Sequence, residues 1–293
     1  MNLIYSSIEQ GLIFAVLAMG LVMTFQILKI ADMTVEGSYP LGALFTAMLL
    51  LQGIHPIVAT LLAFLIGLIP GIFSALLSIK LKISALLAGI LTMTMMYSIN
   101  LHVNGKPNVP FTKSKNIFQL IDLGNENLNR ILILFLIVLL LKILMDWFFS
   151  TKKGYMLITT GDNDSLVQSL GEDPNFYRIL GLSLANGFAA LSGSLFAQSA
   201  KFADSQMGIG TLVIALASVI IGDTLFKNKQ VKYTTRAIIG AMIYKFIGAM
   251  AVQLGLDPVD LKLINGCIVI LFIAYNNVFP EFRKHLGRKE SSC

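Results

Sequence analysis

The segment Ala-Asp-Met-Thr-Val-Glu-Gly-Ser at 31–38 sets two carboxylates, Asp32 and Glu36, four residues apart between apolar runs. On a helix they would share one face. Acids beside lipid are costly unless they pair or meet water. One chemistry is a translocation path or a gate hinge lined by Asp32 and Glu36. The other is helix capping, with Asp32 ahead of Thr34 and Ser38 ahead of Pro40, and capping is the favoured role for Asp32 and Ser38. Both place a helix break at this segment.

Three further features could carry chemistry. Lys245 lies mid-run in Ile-Tyr-Lys-Phe-Ile-Gly, where a cation faces a bundle interior and pairs, snorkels or meets substrate. A structural ion pair or snorkelling is favoured, with Asp32, Glu36 and Asp223 as candidate partners. Asn186, Ser192, Ser194, Gln198 and Ser199 share one apolar run with Gly187 and Gly193. Packing suits Gly187, Ser192 and Gly193, whereas Asn186 and Gln198 are the path candidates. In the loop at 151–177, Gly154 and Gly161 read as breaks. Asp162 or Asn163 then caps a short helix through Leu170 that ends at Gly171. Such a helix outside the membrane suits docking to a soluble partner, or simply connects.

Enzyme signatures are missing from the sequence. There is no GxxxxGK[ST] phosphate loop, no HExxH and no GxSxG. His55, His102 and His285 are scattered, and Cys267 and Cys293 form neither a disulfide framework nor a metal spacing. No cofactor or metal is expected on this chain.

The elements that must hold these residues are membrane helices. Of 293 residues, 56% are hydrophobic and 13% charged, against about 25% charged in a soluble domain. Mean hydropathy is +0.77. The net charge of +6 suits cytoplasmic loops better than nucleic acid. A span needs about 20 apolar residues. Runs near 8–28, 57–79, 83–101, 131–149, 178–199, 211–226, 237–254 and 262–279 qualify, and 39–52 is a short or broken span. The fold expected is all-α and polytopic, about eight to nine transmembrane helices in one domain over 1–293. The first charge is Glu9 and the first Lys is Lys29, so the opening run reads as a retained helix rather than a signal.

With the N-terminus outside, nine crossings leave fifteen Lys and Arg inside or near that face and six outside, with Lys245 within a span. That bias predicts a cytoplasmic C-terminal tail at 280–293. A weak inverted repeat relates halves at about 1–150 and 178–279. Lys-Ile-Ala-Asp at 29–32 matches Lys-Phe-Ala-Asp at 201–204, and the same offset aligns Ala43 and Leu44 with Ala215 and Leu216. Inverted repeats with broken helices are a transporter plan.

Several stretches together resemble the permease subunit of type II ATP-binding-cassette importers, in the branched-chain amino acid and ribose group. They are Gly-Asp-Asn at 161–163 with Ser-Leu-Gly at 169–171, the run at 180–198, Phe-Ala-Asp-Ser-Gln-Met-Gly-Ile-Gly-Thr at 202–211, and Ala-Ser-Val-Ile-Ile-Gly-Asp at 217–223. The stretch at 31–43 resembles the version in tryptophan-type amino acid permeases. The resemblance covers nearly the whole chain. It departs from many relatives at Thr159-Thr160, where an Arg-Ala pair is frequent, and at Glu172, where an apolar residue is.

The resemblance implies a plasma-membrane permease that pairs with a second permease, and self-pairing is expected because the sequence gives no sign of a different partner. Two cytoplasmic ATPases would carry ATP and Mg, and an extracellular solute-binding lipoprotein would deliver the solute. The coupling helix would include Thr160, Gly161, Asp162, Asn163, Ser169, Leu170 and Gly171. The path would include Asp32, Thr34, Glu36 and Gly37 of the first break and Asp204, Gly208 and Gly210 of the second. The expected solute is an amino acid, tryptophan or another hydrophobic one. An ion-coupled secondary transporter and a non-transporting membrane scaffold are the alternatives.

Overall fold

A computed structural model describes residues 2–120, 124, 126–226 and 230–255, with Leu263, Gly266, Cys267 and Ile270 beyond them. The expected span at 262–279 and tail at 280–293 fall largely or wholly outside the described residues. The helices are α1 (Asn2–Leu21), α2 (Val35–Leu51), α3 (Pro56–Leu81), α4 (Ala85–Asn104), α5 (Glu126–Ser150), α6 (Lys152–Asp162), α7 (Asp164–Ser169), α8 (Pro174–Ala200), α9 (Thr211–Leu225) and α10 (Tyr233–Gln253). A π-helical segment, Val22–Ile27, extends α1. The two strands are β1 (Asn108–Pro110) and β2 (Phe202–Asp204), antiparallel, with Val109 opposite Ala203.

Six of the described helical segments are long and apolar enough to cross a bilayer, and Val35–Leu51 and Thr211–Leu225 are shorter. The run at 211–226, expected as a full span, is therefore a second short one. At 1.5 Å per residue α2 and α9 reach about 25 and 22 Å, short of a hydrocarbon core of about 30 Å. Each follows a broken segment.

The weak repeat is structural. The α1–α2–α3 and α8–α9–α10 triplets follow one order: α1 starts at Asn2 and α8 at Pro174, an offset of 172, while α9 starts 176 residues after α2 and α10 177 after α3. Lys29 and Lys201 both take left-handed backbone, φ 56° and 61°, at a cost of about 1–2 kcal/mol for a side chain with a Cβ. Asp32 accepts from the Thr34 N–H at 2.9 Å, and Asp204 accepts from the Gln206 N–H at 2.7 Å. The same offset aligns Gln26 with Gln198.

At the centre, α2 lies parallel to α8. Ser38 donates to Asn186 and Thr46 donates to Ser194, each at 2.7 Å and each at the same sequence separation, two helical turns apart. Glycine permits the approach: a methyl built on Gly42 would lie 1.9 Å from the Ala190 carbonyl oxygen, and one on Gly193 2.0 Å from that of Tyr39. Small residues and buried hydroxyls serve because lipid gives helices no hydrophobic reason to associate. The apolar side chains of α3, α4 and α5 point outward, among them Leu65, Ile69, Leu87, Leu136 and Leu140. The pairing of β1 with β2 sets the loops after α4 and α8 on one side, as the alternation of crossings requires. The α6–α7 loop is on the other, where Lys29 pairs with Asp162 at 2.8 Å.

Candidate functional site

The two broken segments meet. Asp32 precedes α2 rather than sharing its face with Glu36, so the expected four-residue helical pair does not form. One Asp32 oxygen caps the turn through Thr34 N–H, as the capping reading expected, and the other accepts from Asn186 Nδ2 at 2.7 Å. Asn186 also donates to the Leu182 carbonyl at 2.9 Å and accepts from Ser38. Ser38 is thus no cap; it sits inside α2 and ties it to α8. Asp32, Ser38 and Asn186 are all fully or nearly fully buried.

Pro40 has no N–H and leaves the Glu36 carbonyl without its helical donor. Gly208 packs on that carbonyl so closely that an added Cβ would lie 2.0 Å from it. The Glu36 side chain accepts from the Gly210 N–H at 3.0 Å. Gly210, φ 87°, then starts α9. Gly37 lies against Met93 and Met96 of α4, and its carbonyl accepts from Asn100 Nδ2 at 3.1 Å. Thr34 is buried.

Gln198 is also consumed by the fold. Its Oε1 accepts from the Ile117 N–H at 2.9 Å and its Nε2 donates to Thr60 at 2.8 Å, which pins the segment between α4 and α5. Among the described residues, Lys245 has no carboxylate partner. Its Nζ lies 3.6 Å from the centre of the Phe14 ring. Of the three carboxylates expected to pair with it, Asp32 holds Asn186, Glu36 holds Gly210 N–H, and Asp223 pairs with Arg236 at 3.4 Å and accepts from Gln26. A lysine at a span centre costs about 2.5–3.5 kcal/mol, and a desolvated cation–π contact returns about 2 kcal/mol.

The 151–177 loop forms a platform of two helices. Gly154 and Gly161, expected to break it, lie inside α6 instead, where each lets another backbone approach. A methyl on Gly154 would lie 2.2 Å from the Phe148 carbonyl oxygen, and one on Gly161 1.6 Å from that of Ile27. Asn163, rather than Asp162, caps α7 through the Leu166 N–H at 3.2 Å. Gly171, φ 79°, follows its end. Thr160 is buried and turns inward, donating to the Met156 carbonyl at 2.7 Å. Ser169 folds back onto the Leu166 carbonyl at 2.8 Å. Val167 is buried, while Leu166 and Leu170 are 47% and 55% exposed. Lys152 pairs with Glu172 at 2.8 Å, which holds the Glu172 carboxyl below its ordinary range and raises the lysine. Arg178 pairs with Asp164. A cavity of about 520 Å³ lies between this platform and the first break, lined by Leu28, Ile30, Thr160, Asp164 and Arg178 among others.

Two clusters escaped sequence reading, Glu9 with Arg130 and Ser199, and Gln26 with Asp223 and Arg236. Their members stand far apart in the chain.

Residues 3–274 match the family described as the permease component of branched-chain amino acid transport systems. The chain belongs to this permease family. It is thus the permease component of an ATP-binding-cassette-type import system, a multi-pass membrane protein. The permease is 44% identical over 285 residues to the tyrosine transport system permease protein of Clostridioides difficile, covering 97% of this chain and 95% of that one. It is 35% identical to the uncharacterized protein RP368 of Rickettsia prowazekii, covering 96% and 99%. It is 28% identical to the autoinducer 2 import system permease protein LsrC of Salmonella paratyphi B, covering 76% and 62%. No solved structure matches the permease.

Proposed function

We propose that the permease carries an aromatic amino acid, tyrosine or tryptophan, across the plasma membrane, driven by ATP hydrolysis on separate cytoplasmic subunits. A solute-binding protein delivers the amino acid from outside, and the permease pairs with a second copy of itself. The α6–α7 face is cytoplasmic and the β1–β2 face external, with the N-terminus outside and the C-terminus cytoplasmic. ATP and Mg stay on the ATPase. The likeness to the tyrosine permease supports the solute class. The bias of Lys and Arg toward the α6–α7 face supports the orientation.

The observation that carries the ATP-driven reading is α7. This capped two-turn helix buries Val167 and holds Leu166 and Leu170 out to water, beside a platform seated on the Ile27 carbonyl. Exposed leucines on a short capped helix are an apolar knob for a cleft in a soluble partner. Asp162, Asn163, Ser169 and Gly171 shape and surround the knob, whereas Thr160 and Gly161 hold the platform to the membrane helices.

The test is co-purification of the tagged permease with the ATPase encoded beside it, then ATPase activity and tyrosine uptake in lipid. The wild type binds the ATPase and imports tyrosine. A Leu170→Asp, Gly171→Pro variant loses both, because one change charges the knob and the other forbids the positive φ. A wild type that transports on an ion gradient with no ATPase bound would replace this reading with a secondary transporter.

A further inference from the structure

Lys245 is twelve residues into α10, roughly 18 Å from its start along the axis. That is deep in a hydrocarbon core of about 30 Å. The side chain is half-buried, and its ammonium rests on the Phe14 ring 3.6 Å from the centre. Phe14 belongs to a cluster that joins Val35 and Tyr39 from the first turns of α2 to Leu212 from the first turn of α9, with Met207 of the second break packed against it. The cation therefore stands where the two broken helices meet. Phe14, Tyr39 and Phe196 form a triangle of rings there, with centres 6.2, 6.3 and 6.4 Å apart.

We propose that Lys245 anchors the carboxylate of an aromatic amino acid in transit, with Phe14, Tyr39 and Phe196 as the wall along which its side chain passes. This rests on the reading of the chain as an amino-acid import permease and deepens it. An ammonium on a flexible four-carbon stem can leave the ring face and follow a carboxylate, and its compact charge suits that partner. The carboxylate supplies the anion that no described side chain supplies. The rings accept an aromatic side chain in offset or edge-on contact. In this structure the triangle is closed and Tyr39 is 1% exposed. Parting of the α2 start from the α9 start, which share the cluster, opens it. The amino group of the passing solute keeps its water.

The permease is assembled with its ATPases in lipid and supplied with binding protein loaded with tyrosine. Tyrosine transported per ATP hydrolysed is then measured for wild type, Lys245→Met, Lys245→Gln and Lys245→Arg. Both neutral variants remove a costly membrane charge and so assemble normally. Their ATP hydrolysis stays stimulated by the loaded binding protein while tyrosine per ATP falls at least tenfold, and Lys245→Arg recovers most of it. Unchanged tyrosine per ATP in the neutral variants overturns the anchor. So does failure of both to assemble, or loss of transport and hydrolysis in equal proportion, either of which makes the cation structural. A wild type that imports a solute without an aromatic ring refutes the proposed solute class and the anchor with it, and is recognised before any variant is made.

Discussion

Gly161→Ala puts the link between platform and first break to a direct test. The added methyl carbon would start 1.6 Å from the Ile27 carbonyl oxygen and 3.1 Å from the Leu28 Cα. Both nearest obstacles are backbone, so no side chain can swing aside. An ordinary carbon–oxygen contact needs α6 to retreat from the π-helical segment by about 1.5–2 Å, and forced overpacking of this kind costs about 1–3 kcal/mol. The displaced stretch runs straight into Lys29, whose left-handed turn precedes Asp32. The expected outcome is a melting temperature several degrees lower in lipid nanodiscs. Transport per ATP falls more steeply than ATPase binding, since Leu166 and Leu170 are untouched. Gly248→Ala is the control: it is helical with nothing within 4 Å, and a helical Gly→Ala change is stabilising by up to about 1 kcal/mol. A Gly161→Ala permease with wild-type melting and wild-type transport would refute the seating of α6 on Ile27.

Asn186→Leu strips the buried Asp32 carboxylate and Ser38 of their shared partner. Leaving a buried acceptor without its partner costs about 1–3 kcal/mol, so folded yield in detergent falls, and wild-type yield would show the network to be dispensable. Gly210→Ala forces a Cβ into φ 87° for about 1–2 kcal/mol and lengthens the contact to Glu36. Uptake drops while assembly persists, and unaltered uptake would separate this turn from the path. The Lys152–Glu172 pair lowers the Glu172 carboxyl below its ordinary 4.5. A depressed carboxylate contributes above its unfolded value and loses that contribution as pH falls through the folded one. Hydrogen exchange in the turn between α7 and α8 should therefore be flat from neutral down to about that ordinary value and, after correction for intrinsic rates, rise below it. Lys152→Met should abolish the step, and its persistence there would exclude the pair.

The membrane class and most helix bounds could be read from the sequence because apolar run length is a local property. So could both breaks: Asp32 and Asp204 cap by contacts two residues away, and the Lys-x-Ala-Asp quartets recur at a fixed offset. What was illegible depended on which face met which. Gly154 and Gly161 look like breakers in a polar loop, yet their role is set by Phe148 and Ile27 carbonyls that arrive from elsewhere. Asn186 and Gln198 look like path residues because they are polar in an apolar run. Nothing local reveals that Asp32, Ser38, Thr60 and Ile117 use up their hydrogen bonds. The bounds of α9 were legible, 211–226 expected against Thr211–Leu225 found; what run length did not show is that this helix is a short one that starts only after residues 201–210 turn back to reach Glu36.

The repeat is symmetric in fold but not in its attachments, and that asymmetry bears on the proposed cycle. The first break is fastened on two sides. Gly161 and Asp162 hold it to the platform through Ile27 and Lys29, and Asn186 holds it to α8 through Asp32 and Ser38. The second break is fastened by β2 to β1 on the opposite face. Between them, the described polar link is the Gly210 N–H on Glu36, backed by Gly208 packed on the Glu36 carbonyl. In the proposed cycle a force applied at α7 would move the first break with α6, while the second stays with the β1–β2 face. In the proposed cycle the seam between the two breaks yields, and it lies beside Phe14 and Lys245. A disulfide between cysteines placed at Glu36 and Gly210, in a background lacking Cys267 and Cys293, should lock the seam. Uptake, already lowered by the loss of Gly210, would stop on oxidation and return to that lowered level on reduction, with ATPase binding unchanged throughout. Full uptake in the oxidised, crosslinked protein would mean that the two breaks move as one body and that the path opens elsewhere.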